Sequence, residues 1–338
     1  MRYGVFDHMD RGTEPLARQY QDRLALAEAY DRLGFRSYHL AEHHCTPLGM
    51  APSPGLMMAA ISQRTRRLRF GPMVYTMSMY HPLRLAEEIC MLDQLSGGRL
   101  EVGVGRGISQ FEVGYYGVDP AKAQPIYAEA LEVVRAYFRG GQVDHHGEFF
   151  RFAGAPVELQ PLQQPHPPFW YGVATPEGTE WTAKNDMNVI MSGPAPAVRR
   201  ITDAYREHWA AQGKPAERQP LLGVSRHVVV ADTEAQALAA ARPAYALWYA
   251  RLMHLWDRHG ARPNYIAYPD NFDDAHRAGY AIAGDAATVR DWVREQSSAA
   301  GLSYFVARLA FGDLSREVSL RSAELFAQHL IGSQEETR

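Results

Sequence analysis

The sequence predicts an α/β fold and, within that class, a parallel (β/α)8 barrel. Short apolar runs alternate with longer amphipathic segments, eight such runs can be counted, and glycine or proline punctuates the joins. A doubly wound open sheet shows the same alternation, so the pattern alone does not establish closure. The 338 residues, 46% hydrophobic and 22% charged, supply one large core without a disulfide or metal staple.

Arg2–Phe6 is the first strand. The helix at Leu16–Leu33 carries Leu24, Ala27 and Leu33 near helical spacing, and Gly34 stops it. Arg36–Ala41 is the second strand and ends in the polar run Glu42-His43-His44. Leu68–Thr76 is the third; the helix from Pro82 to Leu95 has proline in its first turn and Gly97 just past its end. Leu100–Gly105 is the fourth, leading through glycines to a helix near Ile126–Phe138. Phe169–Val173, Asn188–Met191, Leu222–Val230 and Tyr304–Ala310 complete the set, with a last helix at about Ser315–Leu330.

Two stretches break the period. Residues 142–168, rich in Pro, Gly and His, predict a small hairpin excursion. Residues 250–284 hold Trp256, Tyr265, Tyr268 and Phe272 among polar residues, which fits a lid or pocket wall and equally a decorated surface loop. The expected domain is one barrel over residues 1–338 carrying both excursions.

A net charge of −3 with both signs dispersed argues against nucleic acid, which needs a clustered basic face. Cys45 and Cys90 match no zinc spacing, and so few thiols fit a reducing compartment. The opening residues lack the hydrophobic stretch of a secretory signal, and no run approaches a membrane span. A cytoplasmic enzyme is expected.

In parallel barrels chemistry collects at the C-terminal ends of strands. Those ends read Glu42-His43-His44, Met73-Val74-Tyr75, Gly105-Arg106-Gly107, Ala174-Thr175 and Met191-Ser192. Histidine beside a carboxylate suits proton transfer near neutral pH, and strand alternation lets at most one of the two histidines face the mouth. A structural pair fits too, whereas the spacing lacks a metal-binding register. The Gly-Arg-Gly turn is weak evidence for a dinucleotide or anion contact and serves equally as a tight βα turn. Thr175 reads as an N-cap and Pro176 as the first helical residue, and the same free N–H groups form a ready phosphate site. Met50, Met57, Met58, Met77, Met79 and Tyr75 fall on or near the second and third βα loops, where methionines line adaptable apolar pockets; Met57 and Met58 read better as core.

Ala41-Glu42-His43-His44, Leu85-Ala86-Glu87-Glu88 leading into Leu92-Asp93-Gln94-Leu95-Ser96-Gly97-Gly98-Arg99, and Gly103-Val104-Gly105-Arg106-Gly107 together resemble the bacterial luciferase-like monooxygenases. Thr179-Glu180-Trp181 is similar too, as is the closing Phe311-Gly312-Asp313 through Arg321-Ser322 to Leu325-Phe326. The likeness runs over nearly the whole chain in order.

The resemblance implies a single TIM barrel that binds reduced FMN at its mouth. There O2 would form a flavin C4a-hydroperoxide that oxidises an organic substrate, which the methionines of the second and third βα loops point to as small and apolar. It implies that His43 is catalytic, with His44 beside it. Glu42, Met73, Val74, Gly105, Arg106, Val173, Ala174, Thr175 and Gly178 would border the cofactor. Arg106 would touch the flavin ring or its phosphate arm, the phosphate would sit near Thr175, and a non-prolyl cis peptide would fall at Met73–Val74. A separate flavin reductase and a homodimer are implied as well. Three departures accompany these implications: Gly105 replaces a cysteine of the luciferase catalytic subunit, Gln124 a phosphate-binding arginine, and Ala174-Thr175 a Glu-Ser pair. A deazaflavin-dependent dehydrogenase and a non-catalytic flavin-binding subunit are the alternatives. The complete Glu42-His43-His44 run and the Arg106 turn favour the oxygenase.

Overall fold

The computed structural model describes residues 1–263 and 268–332. Its strands are β1 (Arg2–Asp7), β2 (Ser37–Leu40), β3 (Arg69–Pro72), β4 (Tyr75–Thr76), β5 (Val102–Gly105), β6 (Gln142–His146), β7 (Arg151–Pro156), β8 (Phe169–Val173), β9 (Asn188–Met191), β10 (Leu222–Val230), β11 (Ala281–Gly284) and β12 (Tyr304–Arg308). One sheet runs β3-β2-β1-β12-β10-β9-β8-β5-β4, with every pairing parallel. Its two ends, β3 and β4, are halves of the predicted third strand, and a parallel bridge from Phe70 to Leu100 joins the seam. The sheet is therefore a barrel wrapped by helices, and the open-sheet alternative is excluded.

The helical layer follows from local chemistry. The helix Leu16–Arg32 buries Leu24, Leu26, Ala27 and Tyr30 on one face, and Gly34 beyond its end takes φ +83°. The helix Pro82–Ser96 begins on proline and closes on Gly97 at φ +65°. Phe6, Ala41, Met73, Trp170, Leu221, Tyr304 and Val306 form a cluster of their own among strand residues. All nine residues of β10 are buried, because its second half also pairs with β11.

Glu101 sits at the N-terminal edge of β5, fully buried. It accepts from Arg36 at 2.6 Å, Arg69 at 2.7 Å, Trp170 Nε1 at 2.8 Å and Ser37 Oγ at 3.3 Å. Burial alone would raise its carboxyl, but Arg36, His39 and Arg69 outweigh that and hold it at about 2.

Both excursions have defined structure. β6 and β7 form the expected antiparallel hairpin, tied down by Glu129, which accepts from the Phe150 N–H at 2.8 Å. The second stretch differs from expectation: the helix Glu234–Arg258 extends into it, followed by the helix Phe272–Arg277 and β11. The short Ala-Ile-Ala-Gly run of β11 carries too few residues to announce a strand from periodicity. Tyr265 lies outside the described residues. Among those residues no helix is long and apolar enough to cross a membrane.

Candidate active site

In the extended segment just past β2, Glu42 and His44 are buried and His43 is half-buried. Glu42 is buried: its Oε1 lies 2.8 Å from His44 Nε2, and its Oε2 accepts from Tyr80 OH at 2.9 Å and the Thr76 N–H at 3.2 Å. Burial raises this carboxyl above its usual range, and the bonds from His44, Thr76 and Tyr80 only partly offset it. His44 Nδ1 meets Tyr116 OH at 2.8 Å. Glu42 and His44, expected in the cofactor and catalytic sets, thus form an anchoring pair whose polar atoms are committed to protein partners.

His43 faces the mouth. Its Nδ1 lies 3.1 Å from Glu112 Oε1, and the His44 N–H donates to Glu112 Oε2 at 2.8 Å. A carboxylate accepting from Nδ1–H leaves Nε2 of a neutral imidazole as the acceptor, the tautomer a proton-transfer group needs. Glu112 was not singled out in the sequence. Its one signal was Ser109-x-x-Glu112, the capping-box pattern. Ser109 Oγ does accept the Glu112 N–H at 3.3 Å, but the glutamate side chain reaches the β2 loop instead of its own helix end.

His8, just past β1, is a second omission. Its ring stacks on His43 with centroids 5.7 Å apart, and Trp248 Nε1 donates to its Nδ1 at 3.2 Å. Indole can only donate, so the proton of neutral His8 is on Nε2. Burial, then Arg308, His43 and His227, hold His8 well below the ordinary histidine range.

Between β3 and β4 the Met73–Val74 peptide is cis. A Cβ at Gly103 would lie 2.3 Å from Pro72 O, and one at Gly105 2.7 Å from Val74 Cγ2, so β5 approaches this peptide only because both are glycine. Arg106 follows, exposed, with no ion-pair or hydrogen-bond partner for its guanidinium among the described residues, in the neighbourhood of Tyr171. At the end of β8, Val173 is buried while Gly172, Ala174 and Thr175 are exposed. Thr175 occupies the N-cap position without capping: a 3-10 turn, Pro176–Gly178, precedes the helix Thr179–Lys184, and the Gly178 N–H is taken by Thr175 O at 3.2 Å. The expected side-chain cap is absent because the tighter turn satisfies itself.

Of these residues His8, His43 and Glu112 line a cavity of about 180 Å³, together with Trp248, Tyr268 and Arg308 among others. A cleft of about 340 Å³ runs over Arg106–Gln110 and shares Ile108, Ser109 and Trp256 with it. The aromatic second excursion therefore supplies a pocket wall. The methionines do not: Met57, Met58 and Met77 are buried in the helix-packing core.

The model of the luciferase-like monooxygenase family matches residues 1–303. The chain belongs to that family. This luciferase-like chain is 44% identical over 331 residues, 98% of its length and 96% of the other's, to the uncharacterized protein y4wF of Sinorhizobium fredii. It is 30% identical to the oxygenase component of the flavin-dependent trigonelline monooxygenase of Acinetobacter baylyi, over 71% of this chain and 68% of that one. Among solved structures, monooxygenase RslO1 from Streptomyces bottropensis superposes with TM-score 0.89 at 26% identity, covering 99% and 100% of the two chains. Two others share the fold alone. One is the FMN-bound 3,6-diketocamphane monooxygenase of Pseudomonas putida (TM-score 0.80, 20% identity, 98% of both chains). The other is an F420-dependent secondary alcohol dehydrogenase (TM-score 0.75, 18% identity, 98% of both chains).

Proposed function

We propose that this luciferase-like chain is the oxygenase of a two-component system that uses reduced FMN and O2 to oxidise a small organic substrate. The observation that carries the reading is the His43–Glu112 pair, held at a mouth that also opens onto a partly open cavity walled by Trp248, Trp256 and Tyr268. The relative named as an oxygenase component supports a separate reductase, and that name with RslO1 favours oxygen chemistry over F420-dependent hydride transfer.

The residues fit the cofactor. Nothing lies within 4 Å of a Cβ built at Gly172, so the wall beside the exposed Ala174 and Thr175 is open. The cis Met73–Val74 peptide, Gly105 and Val173 would border the ring, and the Arg106 fork, which has no partner among the described residues, suits a carbonyl or phosphate oxygen. Thr175 and Gly178 would stand beside the phosphate arm. Bound reduced flavin supplies the two electrons that activate O2, so that one oxygen atom enters the substrate and the other leaves as water. His43 accepts or returns a proton at Nε2 while Glu112 fixes its tautomer, and Trp248 and Trp256 exclude water.

Anaerobic titration with reduced FMN and with reduced F420 tests the cofactor. Tighter binding of FMN, followed by substrate-dependent incorporation of one atom of labelled O2, is expected. Selective binding of F420 with no oxygen uptake would overturn the reading. Exposed Leu56, Met91 and Leu95 on the neighbouring helices Pro54–Arg64 and Pro82–Ser96 support the homodimer, which light scattering reads directly.

A further inference from the structure

The mouth holds two buried arginines that bond no carboxylate among the described residues. Arg226 on β10 is 1% exposed and Arg308 at the end of β12 is 6% exposed. Arg226 donates to the carbonyls of Gly193 at 2.7 Å and Ser225 at 3.1 Å. Arg308 donates to Ser225 Oγ at 2.8 Å and to the Tyr268 hydroxyl at 3.1 Å. None of these acceptors is a carboxylate, although Arg308, the Ser192 hydroxyl and Arg226 lower the Tyr268 phenol against its burial, and Arg226 Nε and Arg308 Nη1 are buried with no partner among the described residues. A buried guanidinium without an opposite charge keeps its desolvation cost uncompensated.

The surroundings of Arg308 bring no carboxylate into a bond with it among the described residues. Its guanidinium carbon stands 5.0, 5.3 and 5.4 Å from the ring centroids of Phe6, Trp248 and Tyr268, an aromatic cage that offsets part of the burial cost. His8 borders the same cavity, and its Nε2–H meets no protein acceptor among the described residues. Tyr268 OH accepts from Arg308 and from Ser192 Oγ, which leaves its own proton to donate. The acid that lines the cavity, Glu112, is already engaged by His43 and the His44 N–H.

We propose that Arg308, His8 and Tyr268 form a carboxylate subsite, so that the ligand of this cavity is a small monocyclic organic acid. A carboxylate would give the Arg308 fork its charged partner, and the rings of Trp248 and Trp256 would enclose the apolar body. An apolar cavity of about 150 Å³ accepts one benzene ring, so the space here, about 180 Å³, has room for an acid of one ring. The identification of this ligand with the oxidised substrate rests on the oxygenase reading; its binding does not.

The test titrates the flavin-free full chain with benzoate and with benzamide, by calorimetry and by quenching of tryptophan fluorescence. Benzoate is expected to bind about tenfold to a hundredfold more tightly. Arg308→Gln should bring benzoate down to the affinity of benzamide and leave benzamide unchanged, whereas Arg308→Lys should recover part of the preference. Equal affinities in the unaltered chain, absence of saturable benzoate binding, or a preference that survives Arg308→Gln would overturn the subsite. The comparison within the unaltered chain needs no variant to fold. An acid that binds with the expected preference yet drives no oxygen uptake with reduced FMN would support the subsite and separate this ligand from the oxidised substrate, whereas the oxygenase reading falls only on selective F420 binding without oxygen uptake.

Discussion

Each end of this barrel contains a pair of arginines, and the two pairs are finished differently. At the N-terminal end Arg36 and Arg69 converge on Oε1 of Glu101, whose Oε2 accepts from Trp170 and Ser37. At the mouth Arg226 and Arg308 bond no carboxylate and leave two donors unpaired among the described residues. The first cluster is complete within the chain and stabilises the fold. The second is incomplete, and an incomplete polar cluster beside a cavity marks a place where a ligand supplies the missing charge.

The largest effect that separates the two ends should come from Glu101→Ala, which strands two guanidiniums. Urea unfolding should show a loss of about 3–5 kcal/mol, and a loss under about 1 would break the contrast. His43→Ala belongs to the mouth, so it should act on turnover: oxygen uptake falls by about a hundredfold or more while unfolding barely moves. Full turnover in that variant would remove His43 from the chemistry.

Acid gives a third test. The carboxyl of Glu101 is held at about 2 when folded, against an ordinary 4.5. A depressed folded value means that the stabilisation is whole above about 4.5 and drains as pH falls toward 2. The stability gap between the unaltered chain and Glu101→Ala should therefore narrow over that window; a constant gap would show that the charge of Glu101 is not what matters. The smallest effect is expected from Arg308→Met. Replacing a buried charge that lacks a counter-ion by an isosteric apolar side chain should change the stability of the ligand-free chain by no more than about 1 kcal/mol, in either direction. A loss of several kcal/mol would make Arg308 a structural residue like Arg36 and Arg69.

Elements governed by local chemistry were legible in the sequence. Gly34 and Gly97 do stop their helices in left-handed conformations, and Pro82 does open one. Seven predicted strands correspond to single continuous strands, while the Leu68–Thr76 run is divided at Met73–Val74. Within the site, the pattern placed Glu42, His43 and His44 at a strand end but could not say which imidazole faces inward. Glu112 lies 69 residues from His43 in the chain, and His8 reaches Trp248 across 240 residues. No spacing rule connects partners so distant. Thr175 shows the converse failure: a good capping residue precedes proline, and the 3-10 turn leaves its hydroxyl out of the cap.

The sequence by itself determined the α/β alternation, the helix stops, the order of the strand ends and the family to which the chain belongs. Each of these depends on residues close in the chain or on their succession along it. Only the tertiary structure decided closure, because the bridge from Phe70 to Leu100 and the pairing of β1 with β12 join segments with no local signature of one another. It also decided which charges find partners. Charge balance in a buried site depends on what stands across the lumen, so four arginines that look alike in sequence divide into a closed pair and an open one.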